Sequence, residues 1–179
     1  MQLVKGNLSL LRVLSLEKWK QRDIEVTFFG EGTDKQALVE MARLLDVQNI
    51  EFAGHVQDII AGVWKDFHAL ALPSRSEGLP LALVEAMLCG RLAIVTNAGG
   101  SAEIVEDNIT GFIANAPTAE AFDEALERAW TRRQEWEQIG NRAAESIRKI
   151  VPFDPAAQFA NMLLQIVSEQ KPASNFSLS

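Results

Sequence analysis

The sequence predicts an α/β protein built on a doubly wound parallel sheet with helices on both faces, and three observations predict it. Short apolar runs rich in β-branched or aromatic residues recur along the chain. Stretches with helical periodicity separate them. The two kinds of segment alternate, as they must when parallel neighbours are joined by crossover connections.

In chain order the expected strands are Ile24 to Phe29, Ile50 to Ala53, Ala69 to Leu72, Leu92 to Thr96 and Gly111 to Ala114. Runs such as "ALAL" and "LAIVT" suit strands covered on both faces. The clearest helical pattern spans Asp34 to Asp46, where Leu38, Met41, Ala42 and Leu45 share a face behind a Thr33-x-x-Gln36 capping box. A second helix is expected from Pro80, at the first helical position, to Cys89, with Gly90 just past its end. From Thr118 onward Phe122, Ala125, Leu126, Ala129 and Trp130 fall on one helical face. "VPFDP" at Val151 to Pro155 interrupts the pattern before a last amphipathic helix ending near Val167. The expected organisation is one domain over residues 1–170 and a tail over 171–179, with no internal repeat.

Composition narrows the function classes. With 47% hydrophobic and 23% charged residues the chain resembles ordinary globular proteins. A net charge of -7 repels polyanions, and no basic run is interleaved with aromatics, so nucleic acid is not an expected partner. No run approaches the roughly 18 apolar residues of a membrane span, and Lys5, Arg12, Glu17 and Lys18 interrupt the N-terminal stretch, which reads as neither anchor nor signal peptide. A single cysteine, Cys89, reads as a buried structural thiol in a reducing, cytoplasmic compartment. His55 and His68 stand apart from any cluster at metal-ligand spacing, so no metal is assigned.

The stretch that carries chemistry is "SRSEGLPLALVEAMLCG", Ser74 to Gly90. Apart from Glu85, every position from Leu81 to Cys89 is apolar, which predicts a buried helix and a buried carboxylate within it. Such a carboxylate needs donors, and a structural salt bridge and a hydroxyl-rich ligand both supply them. The flanks add a strand end, a glycine-containing loop and a helix N-terminus, whose free N–H groups and dipole attract anions at the carboxyl end of a strand. Pro80 has no N–H, so the amides offered to a phosphate are those of Gly78, Leu79, Leu81 and Ala82. Glu77 stands on the loop beside them, and Glu85 lies about 7.5 Å beyond Pro80 along the axis. "AGGSAEIV" reads as a tight turn with a serine N-cap, or as a second anion site. Thr131-Arg132-Arg133 reads as a solvated face.

This segment, followed by "VTNAGGSAEIVEDNITGF", resembles the carboxyl-terminal half of the retaining GT-B glycosyltransferases of family four (group 1), marked by Glu, seven residues, Glu: here Glu77 and Glu85. "FFGEGTDKQAL", "IEFAGHVQDI" and "ALALPSRSEG" resemble the family's successive strand-end loops in the right order, so the likeness runs closely from Lys5 to Gly111. It implies a Rossmann-like donor-binding domain of an enzyme that transfers a hexosyl group from a nucleotide diphosphate sugar to an acceptor. It implies Glu85 on the ribose hydroxyls and Glu77, the catalytic candidate, at the transferred sugar. Sugar and diphosphate fall to the amides of Gly78, Leu79, Leu81 and Ala82. Val56 falls at the base through its backbone, and Lys5 at a phosphate, the plain alternative being an exposed lysine without a role. No cofactor or metal is implied.

The likeness departs from the family's pattern at the start. Only Met1 to Val4 precede the Lys5-Gly6 pair, where the family places a strand and an arginine. The expectation is a fragment lacking its first strand and its N-terminal domain, inactive alone, with at most five strands and a gap filled by Met1 to Val4 or by another chain. The absent domain would supply the acceptor site and any peripheral membrane association. Two other readings stay open: a non-catalytic nucleotide-binding or interaction module, and a sugar-nucleotide epimerase of the same fold.

Overall fold

The computed structural model describes residues 5–57 and 62–169. The chain forms two compact units, Met1–Ile147 and Arg148–Ser179. In the first, the elements run α1 (Asn7–Leu14), α2 (Glu17–Lys20), β1 (Val26–Phe29), α3 (Lys35–Leu44), β2 (Ile50–Gly54), β3 (Ala69–Leu72), α4 (Leu81–Leu88), β4 (Leu92–Thr96), α5 (Ser101–Ile104), β5 (Gly111–Ala114), α6 (Ala119–Thr131) and α7 (Trp136–Ile147). The second unit is described as far as α8 (Pro155–Glu169). Asp154 caps α8 by accepting from the Ala157 N–H at 2.9 Å, and every residue of the helix is exposed. The expected tail, 171–179, lies outside the described residues.

All strand pairs among the described residues are parallel, in two sheets of order β1-β2 and β3-β4-β5. Helices flank them on both sides: α1 packs with α3 and α6, while α4 packs with α7. Every residue of β4 is buried, as its unbroken apolar run requires, whereas β3 is half-buried throughout. β1 and β3 are end strands of their sheets, and Met1 to Val4, the expected filler of the gap, lie outside the described residues. One cluster joins Leu10, Leu11 and Trp19 to Phe28 and Leu38, and onward to Ile94, Phe112 and Phe122.

Local details depart from the expectations where side chains found other partners. Strand β1 starts at Val26, because the Ile24 N–H turns back to the Arg22 carbonyl at 2.9 Å. Helix α3 starts after Asp34 with no side-chain cap: Thr33 donates to the Asp34 carboxylate at 3.3 Å and Gln36 reaches Glu40 at 3.4 Å, so the capping box does not form. Pro80 is the N-cap of α4 rather than its first residue. Its ψ of 118° is extended, and its carbonyl accepts from Leu83 and Val84. Gly100, not Ser101, caps α5. Arg132 is half-buried, donating to the Asn108 carbonyl at 2.7 Å and lying over Phe112, so the basic triplet is only partly solvated. Cys89 is half-buried rather than buried.

Charge pairs tie the α1–α2 corner to α6. Trp19 donates its indole N–H to Asp123 at 2.6 Å, and Arg22 forks onto Glu127 at 2.7 and 3.0 Å while its guanidinium lies over both Trp19 and Trp130. The Arg22 hydrogen bonds hold the Glu127 carboxyl below its ordinary value, with Lys18 adding to the effect.

Candidate donor site

The chain leaves β3 through Pro73 into the loop that carries Glu77. Ser74, the first polar residue of that loop, is 1% exposed, and its hydroxyl donates to Glu77 Oε1 at 2.6 Å. Lys5 donates to both carboxylate oxygens, at 2.8 and 2.9 Å. Lys5 reaches this position because Gly6, at φ +69°, presses its backbone against Pro73. A Cβ there would sit 1.8 Å from the Pro73 carbonyl oxygen, so only glycine fits.

The loop backbone is braced by the turn before α5. Gly100 N–H donates to the Gly78 carbonyl at 2.7 Å, and Gly99, at φ +56°, lies so close that a Cβ would sit 1.9 Å from the Glu77 carbonyl oxygen. Thr96, at the end of β4, donates its buried hydroxyl to the Ser74 carbonyl. "AGGS" is thus a tight turn whose work is to hold the neighbouring loop.

Among the described residues, the amides of Gly78, Leu79, Leu81 and Ala82 donate to no protein acceptor. Leu79 and Leu81 are 50% and 74% exposed, so this helix N-terminus opens to solvent. One turn further along α4, Glu85 is half-buried rather than buried as expected. Its carboxylate meets no hydrogen-bond donor or cation among the described residues. Its neighbours Leu83, Val84, Ala86 and Met87 fill the core, which leaves Glu85 on the helix flank that is not packed.

The structure therefore brings Lys5 to Glu77, and Glu77 directly precedes Gly78, the first of the amides left free among the described residues. Val56 is half-buried on the loop after β2, and no hydrogen bond among the described residues links it or Glu85 to the Lys5–Glu77 pair. His55 and His68 are both exposed, and no group of three or more His, Cys, Asp or Glu residues forms a metal-binding cluster among the described residues. Sequence reasoning missed Ser74, Thr96 and the bracing role of Gly99 and Gly100. The consecutive glycines were the one available signal.

This arrangement, a parallel α/β domain with a paired loop glutamate and an open helix N-terminus after a strand, belongs to a recognisable class. The model of the family "Glycosyl transferases group 1" matches residues 1–146, so the chain belongs to that family. A glycogen synthase of Pseudomonas syringae pv. syringae is 41% identical over 101 residues, which are 56% of this chain and 21% of that protein. Among solved structures, sucrose-phosphate synthase from Thermosynechococcus elongatus superposes with a TM-score of 0.82 at 18% identity, covering 94% of this chain and 44% of that one. Anabaena HepE, solved in complex with UDP and glucose, superposes with a TM-score of 0.79 at 19% identity, covering 94% and 46%. The fold is that of a GT-B glycosyltransferase domain, and the chain spans less than half of these relatives. Among the described residues, no helix is long and apolar enough to cross a membrane.

Proposed function

We propose that this chain is the nucleotide-sugar-binding half of a retaining hexosyltransferase that works in the cytoplasm together with an N-terminal domain supplying the acceptor. The observation that carries the reading is Glu85: a half-buried carboxylate that meets no partner among the described residues, on the same helix whose first amides are also free among them. A group that has given up part of its hydration and gained no protein donor suits a ligand that brings hydroxyls. Ribose hydroxyls answer Glu85, and the diphosphate answers the amides of Gly78, Leu79, Leu81 and Ala82. The base lies near the Val56 backbone, and Glu77 meets a hydroxyl of the transferred sugar.

In this reading the bond from the anomeric carbon to the diphosphate breaks, and the acceptor oxygen bonds to that carbon on the same face. The acceptor's proton passes to the departing phosphate oxygen. Charge growing on that oxygen is met by the helix N-terminus and Lys5, a form of fixed-dipole stabilisation, and no metal takes part.

The test is calorimetric titration with UDP, GDP and ADP in parallel, with and without magnesium, on the wild type and Glu85→Gln. The expected result is metal-independent binding of one nucleotide, weakened in the variant by roughly 1.5–3 kcal/mol, the range for a hydrogen bond to a charged group, with an unchanged melting temperature. Equal affinity in the variant together with lost stability would return Glu85 to a structural role.

A further inference from the structure

The acceptor capacity of Glu77 is unequally spent. A carboxylate oxygen offers two lone-pair directions. Oε1 accepts from Ser74 at 2.6 Å and from Lys5 at 2.8 Å, which fills it. Oε2 accepts only from Lys5, at 2.9 Å, and keeps one direction open among the described residues. The Glu77 side chain is 8% exposed, so a ligand reaches that direction along a narrow approach. Lys5 is also incompletely used among the described residues: its ammonium has three donors, and the two that find acceptors there point at Glu77.

We infer that Ser74 is a positioning residue, whose buried hydroxyl occupies Oε1 so that Oε2 alone accepts a hydroxyl of the transferred sugar, with Thr96 fixing Ser74 through its carbonyl. This deepens the donor-site reading and rests on it. The arrangement removes an apparent conflict, because Lys5 need not release Glu77 to meet a phosphate. Its third N–H serves the anion while the ion pair stays closed, tying the sugar's orientation to the diphosphate's. A two-oxygen carboxylate free to swing would present either oxygen. Ser74 and Thr96, each 1% exposed, cannot move without disturbing the packed ends of β3 and β4.

Ser74→Ala removes one oxygen from a packed place and nearly preserves its volume. Its effect is read as the ratio of two affinities of the same chain, for UDP-glucose and for UDP, and likewise for ADP-glucose with ADP and GDP-mannose with GDP. The ratio cancels any general loss of nucleotide binding. For the nucleotide that binds, Ser74→Ala should weaken the sugar form at least about tenfold relative to the bare diphosphate. Ser74→Thr, which keeps the hydroxyl, should restore the ratio, and Thr96→Val should shift it in the same direction as Ser74→Ala by less. A wild-type ratio in a folded Ser74→Ala overturns the inference, as does equal weakening of both ligands.

The second measurement needs no ligand. The Glu77 side-chain carboxyl carbon, followed by 13C NMR, should move in Ser74→Ala and return in Ser74→Thr, and an unmoved resonance overturns the positioning role. If the resonance moves as expected while no nucleotide binds the wild type, the donor reading fails and the sugar assignment of Oε2 fails with it, although the Ser74 bond to Glu77 is upheld.

Discussion

Replacing Gly99 by alanine should loosen the Glu77 loop from behind. At φ +56° the residue sits in the left-handed region, where an L side chain costs about 1–2 kcal/mol. The added Cβ would lie 1.9 Å from the Glu77 carbonyl oxygen and 2.6 Å from that of Gly78, both backbone atoms that no rotamer change can remove. Ordinary contact for such atoms is about 3.5 Å, so the loop must retreat by more than about 1 Å. The 2.7 Å bond from Gly100 N–H to the Gly78 carbonyl cannot survive that retreat unstretched, a loss of about 1 kcal/mol more. Together these amount to roughly 2–4 kcal/mol, a drop of about 5–15 °C in melting temperature for a chain of this size. Gly78→Ala is the matched control. Nothing lies within 4 Å of its added Cβ and its φ is not left-handed, so stability should stay within about 0.5 kcal/mol. The proposed donor site predicts that nucleotide affinity nevertheless falls in Gly78→Ala, because the added methyl would occupy space beside an amide that the proposal assigns to the diphosphate. Differential scanning fluorimetry and titration on both variants separate the two effects. A Gly99→Ala protein that melts with the wild type would refute the bracing argument.

The core and the charge network give two further expectations. Phe122→Ala, at a fully buried position of α6, should cost about 3–5 kcal/mol in chemical denaturation, whereas Phe153→Ala, at a fully exposed position, should stay within about 0.5 kcal/mol; equal effects would mean the core is misplaced. The Arg22 hydrogen bonds, seconded by Lys18, lower the Glu127 carboxyl from its ordinary 4.5, so its contribution to stability is present above pH 4.5 and is lost as pH falls through the lower folded value. Denaturation midpoints measured across that acid window should therefore depend less steeply on pH in Glu127→Gln than in the wild type, and parallel profiles would show that the pair does not stabilise the fold.

The residue pattern by itself determined the alternation of strand and helix, the burial of the five-residue run at β4, the apolar face of α6 and the place of one carboxylate, Glu85, in an otherwise apolar helix. These are local properties: a period, an unbroken apolar run, a single charge that interrupts one. The pairing of Glu77 with Glu85 rests on the family resemblance instead. Tertiary structure decided what holds Glu77. Lys5 and Glu77 are 72 positions apart, and Thr96 and Ser74 are 22 apart, so no window of sequence contains either pair. It also decided that Glu85 is half-buried. The all-apolar helix predicts burial on every side, but α4 is short and packs against β3, β4 and α7, leaving one flank uncovered, and the carboxylate lies there. Periodicity reports which residues avoid water. It cannot report which backbone will approach within hydrogen-bonding distance once the sheet has brought the strand ends together, and that approach makes a glycine turn into a brace and a buried serine into the partner of a carboxylate.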